Sequence, residues 1–235
     1  MSKAILTIDD IASKNTPAIV DYLNEKGITP ILFGWGEMIE KNYAEAVYAL
    51  QHGMPVIGNH SYSHPAFSTL SLNECIYEIE KNEEVLNKLY EDAGVLRTKR
   101  PFRFPYGDKG GANKEALQDY LAEHGFDKVK DTEIKYSFWQ ENGLDKDIDT
   151  FWTFDFAEYN IRKGSGFTKE DVQKRIDMAE SAEGGAIFEK DAFQILLLHA
   201  HDETEELVPE YYKTFIDYFL SKGVQFVNTN DLFLH

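Results

Sequence analysis

AILTIDD, residues 4–10, is a short, mostly apolar run that two carboxylates follow at once. A run of this length predicts a buried β-strand, and a strand without polar alternation is typical of a parallel sheet that is covered on both faces. In parallel α/β barrels the carboxyl ends of the strands converge on one face, where active sites are assembled. We therefore expect Asp9 and Asp10 at the functional end of the sheet, although aspartate after a strand is also a common helix cap.

The same alternation of short apolar runs with amphipathic, charge-rich stretches continues along the chain. It predicts βαβ units in one α/β domain, residues 1–235, with about seven strands in a parallel, barrel-like sheet. No Pro/Gly/Ser-rich linker divides the chain. Residues 127–150 show no clean period and predict a variable crossover. The predicted strands are 4–8, 28–33, 55–58, 101–108, 151–155, 193–198 and 224–227, and the predicted helices are 17–25, 37–51, a long helix opened by a capping box at 71–74, 113–124, 168–182 and 209–220.

Composition limits the partners of the chain. The sequence has 24 Lys and Arg against 41 Asp and Glu, a formal net charge of −17. Nucleic acids and anionic bilayers attract clustered cations, so neither is an expected partner. No run approaches the roughly 20 apolar residues of a membrane helix, and no signal peptide is visible, so a cytoplasmic location is expected. The single cysteine, Cys75, excludes an intramolecular disulfide and a cysteine-based metal cluster and predicts a small buried hydrophobe.

Two histidines follow the third predicted strand in HSYSH, residues 60–64. If the segment turns helically, His60 and His64 share one face, and their imidazole nitrogens can reach a single divalent cation. Such a spacing also occurs by chance. An aspartate from a neighbouring strand end would complete a three-ligand site with a position left for water, which is typical of catalytic metals.

Two later segments also end in polar residues. Arg103 lies among apolar residues in RFPY, 103–106, and needs an anionic partner, for which Asp9 is suited. A surface salt bridge at a turn is the alternative interpretation. The apolar run FQILLL, 193–198, ends in His199, which should therefore stand at the mouth of the barrel.

Taken together and in this order, these segments resemble the motifs of the polysaccharide deacetylases, the NodB-homology domains of carbohydrate esterase family 4. The resemblance covers residues 5 to about 202. TIDD (7–10) is similar to the family's Thr-Phe-Asp-Asp, HSYSH (60–64) to His-Ser/Thr-x-x-His, RFPY (103–106) to Arg-x-Pro-Tyr/Phe, and LLH (197–199) to Leu-x-His. The fourth motif is weaker, because WTFDFAEY (152–159) has Glu-Tyr where the family pattern has Asp-Trp.

The resemblance implies a distorted (β/α)7-type barrel and metal-dependent removal of acetyl groups from N-acetylated amino sugars. It implies that Asp10, His60 and His64 hold a divalent metal. Zn²⁺ suits this ligand set best, and Co²⁺, Ni²⁺ or Mn²⁺ could also occupy it. The implied partner is an N-acetylated poly- or oligosaccharide, with a small non-sugar acetamide as an alternative.

The resemblance also implies the acid–base roles. Asp9 would be the general base on metal-activated water, with Arg103 holding it, and the backbone N–H of Tyr106 would stabilise the oxyanion. His199 would be the general acid that protonates the departing amine.

A carboxylate next to His199 would raise the pKa of this general acid and fix its tautomer. Glu158 is the candidate for that carboxylate, with Asp155 as the substitute. A second histidine, His201, follows His199 by two residues and could compete for the acid role, although the Leu-x-His register favours His199.

Other positions depart from the family pattern or have plainer interpretations. Ile11 follows Asp10 where glycine is usual. Trp35, between two glycines after the second predicted strand, lies at another strand end. His52 and His124 each precede a glycine at a helix end, where a cation complements the helix dipole, and are expected to be structural.

Two other function classes are compatible with these residues. A non-catalytic carbohydrate-binding protein could use the same barrel, but it would have no need of Asp9 and His199 together. A non-haem iron oxygenase could use the two histidines and one carboxylate, but it would leave Asp9, Arg103 and His199 idle. The sequence sets no oligomeric state.

Overall fold

Six parallel strands form one sheet in the computed structural model, which describes residues 2–178, 187–229 and 232–234. The sheet has the order β3-β2-β1-β5-β4, and β6 pairs with the start of β1. β1 is therefore central, and its last residues lie between β2 and β5. The strands are β1 Lys3–Ile11, β2 Ile31–Gly34, β3 Ile57–Asn59, β4 Phe154–Asp155, β5 Phe193–His199 and β6 Gln225–Phe226.

Single backbone contacts close the sheet on itself. Asn59 at the end of β3 forms a parallel bridge with Phe102, and the Phe102 carbonyl accepts from the N–H of Thr150 at 2.8 Å. The chain from Thr150 then runs into β4, which pairs with β5. The predicted distorted barrel of the α/β class is confirmed.

The predicted strand 101–108 is reduced to the bridge at Phe102. Pro101 and Pro105 have no N–H to donate to a ladder, and the chain turns into a 3₁₀ segment at Pro105–Gly107. This early turn leaves Arg103 and Tyr106 at the carboxyl end of the barrel.

Nine α-helices lie between the strands in the described part of the chain. The predicted helix 37–51 is broken at Asn42, because the Asn42 side-chain amide donates to the Ala12 carbonyl at 2.8 Å and the Asn42 backbone leaves the helical region. The predicted helix 168–182 ends at Ile176, and its last residues, 179–182, lie outside the described residues. The helices are α1 Thr16–Lys26, α2 Gly36–Lys41, α3 Tyr43–Gln51, α4 Leu72–Ala93, α5 Lys114–Glu123, α6 Ser137–Glu141 in the crossover, α7 Lys169–Ile176, α8 Asp202–Leu207 and α9 Tyr211–Ser221.

Alternation along β1 and β5 separates two apolar clusters. Leu6 and Ile8 pack with the cluster that includes the buried faces of α1, α3 and α9, whereas Ile5 packs with Phe33 and Ile195 in a different cluster. Because side chains alternate along a strand, Asp9 points to the same side as Ile5. β5 pairs with β1 so that His199 lies opposite Asp9.

Among the described residues, no helix is both long enough and apolar enough to cross a bilayer. The cytoplasmic location stays a prediction. Cys75 is fully buried, and its thiol contacts the Phe67 carbonyl.

Candidate active site

A cavity of about 600 Å³ opens at the carboxyl ends of the strands. It collects side chains from segments that are far apart in sequence, as expected for this type of barrel. The lining residues include Asp9, Asp10, Trp35, His60, His64, Tyr106, Trp152, Asp155, Tyr159, His199 and His201.

Asp9 and Asp10 both reach this cavity although they are neighbours on β1. A regular strand would send them to opposite faces, but the register of β1 against β2 shifts between Ile8 and Ile11. Asp10 also has φ 62°, in the left-handed region. The local twist turns both carboxylates towards the same space.

His60 and His64 converge without forming a helix. Left-handed backbone at Ser61 (φ 63°) and His64 (φ 59°) folds the loop so that the two Nε2 atoms are 3.2 Å apart. His60 Nδ1 lies 2.8 Å from the Arg103 carbonyl, which can only accept, so Nδ1 is the donor in this contact and Nε2 is the nitrogen that faces His64. Burial, together with the charge of His60, lowers the pKa of His64 to about 4, so His64 is neutral at pH 7.

Glu78 on α4 holds the loop of residues 60–64, the histidine loop. The sequence patterns did not single out Glu78. Its carboxylate accepts from the backbone N–H groups of Tyr62 at 3.0 Å and Ser63 at 2.7 Å, and from the Ser63 hydroxyl at 2.8 Å. At the base of the loop, Asn59 Oδ1 accepts from the Ser61 N–H at 2.8 Å. These bonds fix the loop because each satisfies a polar group that would otherwise be unpaired.

Asp10 completes a three-residue cluster of metal-ligating atoms. Its Oδ1 lies 3.5 Å from His64 Nε2 and 4.0 Å from His60 Nε2, and one ligand atom from each residue lies within 4.8 Å of the others. Oδ1 is buried, and none of the described residues hydrogen-bonds to it. An unpaired buried carboxylate oxygen beside two imidazole nitrogens fits a divalent cation with nitrogen and oxygen ligands.

The charge of Asp10 also suits such a ligand. Burial alone would raise the pKa of Asp10, but a hydrogen bond from His201 and the charges of nearby histidines outweigh it and hold the pKa well below its usual value. The carboxylate is therefore ionised.

Arg103 holds Asp9 inside the protein. Arg103 Nη1 lies 2.7 Å from Asp9 Oδ1 and 2.7 Å from the Thr7 hydroxyl, and Nε donates to the Thr150 carbonyl at 2.8 Å. Arg103 and Asp9 are 1% and 3% exposed, so the surface salt bridge considered as an alternative is wrong. The other oxygen of Asp9, Oδ2, lies 3.5 Å from His60 Nε2, next to the ligand cluster.

Glu158 holds His199 on the opposite side of the cavity. Its fully buried carboxylate oxygen Oε1 accepts from the backbone N–H of His199 and lies 3.2 Å from His199 Nδ1. Burial lowers the pKa of His199, but the charge and hydrogen bond of Glu158, with the charges of Asp155 and Asp10, outweigh it and raise the pKa to about 10. His199 is therefore an imidazolium at neutral pH.

Asp155, the substitute considered for Glu158, has a different partner. Its Oδ1 accepts from the backbone N–H of Ala157 at 2.7 Å, and burial raises the pKa of Asp155 to about 6. Ala157 has a left-handed φ of 57°, which starts the short 3₁₀ turn that carries Glu158 back towards His199.

Aromatic rings form much of the cavity wall. Tyr106, at φ 58° and 69% exposed, presents its ring edge-on to His64 with centroids 4.6 Å apart. Trp35 contacts the same imidazole at 5.0 Å, and Tyr159 meets His199 at 4.7 Å. The structure therefore places Trp35, noted in the sequence for its position at a strand end, beside the histidine cluster.

The remaining histidines with a sequence interpretation lie outside the cavity. His52 Nδ1 is 2.8 Å from the Tyr48 carbonyl, and His124 Nδ1 is 2.8 Å from the Tyr120 carbonyl. Each ring stacks on the tyrosine four residues earlier. These local contacts agree with a structural role.

The sequence profile of the polysaccharide deacetylase family matches residues 2–129. This stretch contains the aspartate pair, the histidine loop and RFPY, while Glu158 and His199 lie beyond it.

Two curated relatives match part of the chain. A peptidoglycan-N-acetylglucosamine deacetylase of Bacillus cereus is 35% identical over 46% of this chain and 37% of its own length. Chitin deacetylase 1 of Cryptococcus neoformans is 33% identical over 44% of this chain and 21% of its own length. The matched stretches thus span well under half of the length of either relative.

The fold is shared with solved deacetylase structures. A peptidoglycan N-acetylglucosamine deacetylase superposes with a TM-score of 0.67 at 22% identity, covering 98% of this chain and 87% of the other.

Proposed function

This chain belongs to the polysaccharide deacetylase family, and from that membership we propose that it is a metal-dependent hydrolase that removes acetyl groups from an N-acetylated amino sugar. The observation that carries the proposal is the content of one cavity. A cluster of metal-ligating atoms, a buried carboxylate held by an arginine and an imidazolium held by a glutamate all face it. These three kinds of group fit metal-dependent hydrolysis of an amide, in which a metal activates water, a base takes a proton from that water and an acid protonates the departing amine.

Asp10, His60 and His64 are the proposed metal ligands, and Zn²⁺ is the proposed ion. The two imidazole nitrogens and one carboxylate oxygen form the donor set of a catalytic zinc site. When bound there, the metal would lower the pKa of a water molecule and polarise the acetyl carbonyl.

Asp9 is the proposed general base. One of its oxygens is bound to Arg103, and the other faces His60, so a proton can be accepted only on the side of the ligand cluster. Arg103 keeps the carboxylate in this orientation through its own bonds to Thr7 and Thr150. Asp9 would take a proton from the attacking water as the C–O bond forms.

His199 is the proposed general acid. Its Nδ1 is occupied by Glu158, which leaves Nε2 as the donor towards the cavity. As the C–N bond breaks, the departing nitrogen would take this proton and leave as an amine, and the acetyl group would leave as acetate. The backbone N–H of Tyr106 is the proposed donor to the tetrahedral oxyanion.

The aromatic wall supports a sugar substrate. Trp35, Trp152, Tyr106 and Tyr159 line the cavity, and aromatic rings with a polar edge offer apolar faces to a pyranose ring. The two curated relatives are named for peptidoglycan and chitin. We therefore place the substrate among N-acetylated carbohydrates rather than small non-sugar acetamides.

The test is acetate release from oligomers of N-acetylglucosamine and from small acetamides, with metal-stripped protein before and after addition of Zn²⁺ or Co²⁺. We expect metal-dependent acetate release from the sugars. Asp9→Asn and His199→Ala should abolish it, while the matched control His124→Ala, outside the cavity, should retain it. Protein that binds the metal and the sugars but releases no acetate would instead indicate a carbohydrate-binding protein.

A further inference from the structure

His201 lies against the proposed metal ligand Asp10, and its position follows from the pairing of β5 with β1. His199 is opposite Asp9, and the N–H of Ala200 donates to the Asp9 carbonyl at 3.0 Å. The chain thus stays next to β1 beyond the end of β5. His201 then brings Nε2 to 2.6 Å from Asp10 Oδ2.

Buried Tyr211 restrains the backbone that leads into His201. The Tyr211 hydroxyl donates to the His199 carbonyl and lies 3.3 Å from the backbone N–H of His201. Tyr211 itself is fully buried. The imidazole of His201 is therefore carried by a restrained backbone, although its own side chain is 25% exposed.

The two oxygens of Asp10 have different surroundings. Oδ2 is occupied by His201, whereas Oδ1 has no hydrogen-bond partner among the described residues and faces the Nε2 atoms of His60 and His64. An ionised carboxylate only accepts hydrogen bonds, so His201 Nε2 must be the donor in this contact. The carboxylate is thus held by one oxygen and presents the other.

We propose that His201 is a positioning residue for the metal site, which orients Asp10 so that Oδ1 alone is available to the ion. This inference rests on the metal site of the proposed function. His201 is not the acid in this assignment, because Glu158 is bonded to His199 and Nε2 of His201 is bonded to Asp10. It is also absent from the group of residues whose ligand atoms converge on one position.

Partners that hydrogen-bond a metal ligand from outside are commonly worth about 10–100-fold in metal affinity. We therefore expect His201→Ala to weaken Zn²⁺ binding by about 10–100-fold. His201→Gln should recover part of the loss, because the glutamine amide can donate from nearly the position of Nε2. His52→Ala, which removes a histidine outside the cavity, should leave the affinity unchanged.

The experiment measures Zn²⁺ dissociation constants by competition with a chromophoric chelator, without substrate, on the full chain and the three variants. Circular dichroism checks folding, and the Co²⁺ absorption spectrum reports coordination geometry. The expected result is weaker binding in His201→Ala, partial recovery in His201→Gln and an unchanged Co²⁺ coordination geometry.

Two results would overturn the assignment. Equal Zn²⁺ affinity in His201→Ala and the wild type would show that Asp10 needs no such support. A changed coordination number in both His201 variants would make His201 a ligand instead. Wild-type protein that binds no divalent metal would overturn the metal site of the proposed function as well, whereas absent acetate release with intact metal binding would leave this inference standing.

Discussion

Replacing Glu158 with glutamine should move the basic limb of the pH–rate profile to lower pH. The glutamine oxygen can still accept from His199, so the shape of the contact is kept and only the charge is removed. In the wild type, the pKa of His199 is about 10, compared with an ordinary 6.5. At about 1.4 kcal/mol per pKa unit, the folded protein favours the imidazolium by about 5 kcal/mol.

Burial disfavours the imidazolium of His199. Among the groups that stabilise the imidazolium, Glu158 contributes most, and Asp155 and Asp10 contribute the rest. A neighbouring opposite charge shifts a pKa by roughly 1–3 units, so Glu158→Gln should lower the pKa of His199 by roughly that amount. The direction of the shift in the pH–rate profile follows from the role of His199 as the general acid. A general acid works only when it is protonated, so a lower pKa ends activity at a lower pH.

Two measurements check this. The first is acetate release against pH for metal-loaded wild type and Glu158→Gln. The second is an NMR titration of the His199 ring in the metal-free proteins, with the resonance assigned from His199→Ala. Glu203→Gln is the matched control, because it removes a carboxylate from the same cavity wall without touching His199. A change of less than about half a unit in Glu158→Gln would refute the assignment of Glu158 as the group that tunes the acid.

Three further predictions concern stability. Arg103→Met should lower the free energy of unfolding, measured by urea titration, by about 3–5 kcal/mol, because it leaves the buried Asp9 carboxylate unpaired. Adding Asp9→Asn to this variant should recover part of the lost stability. No recovery would contradict the unpaired carboxylate as the cause. Gly58→Ala would place a methyl group 2.7 Å from the Pro101 carbonyl oxygen and should cost about 1–3 kcal/mol, which an unchanged thermal midpoint would disprove. His199 has a raised pKa in the folded protein, so its contribution to stability is complete below pH 6.5 and is lost as the pH rises through 10. The difference in unfolding free energy between wild type and His199→Ala should therefore shrink over this pH range. A constant difference would argue against the raised pKa.

Sequence patterns fail where a tertiary contact overrides local preference. The predicted helix 37–51 has a helical period throughout, yet Asn42 breaks it, because its side chain bonds to the Ala12 carbonyl. The stretch 101–108 has strand-like hydrophobic residues, but its prolines limit it to one bridge. Local periodicity does not reveal the bond of Asn42 to Ala12 or the single bridge of Phe102 to Asn59.

For the candidate site as well, the sequence indicated some features and only the structure decided others. The residue types in TIDD and HSYSH already indicated a possible metal site at strand ends, and the resemblance of TIDD, HSYSH, RFPY and LLH to the family motifs implied an acid and a base beside it. The choice between Glu158 and Asp155 was beyond the sequence. The two carboxylates are three positions apart, and the left-handed turn at Ala157 lies between them, so that Glu158 hydrogen-bonds to His199 whereas Asp155 bonds to the Ala157 N–H.

The sequence by itself determined the parallel α/β class, the alternation of strands and helices along the chain and the chemical groups at the strand ends. Hydrophobic periodicity is local, and strand ends in a barrel meet on one face whatever the details of packing. Only the tertiary structure decided that Arg103 is buried against Asp9, that Glu78 braces the histidine loop and that His201 holds Asp10. These contacts join residues that are 15 to 191 positions apart, and they depend on strand register and on left-handed backbone at single residues, which no local pattern encodes.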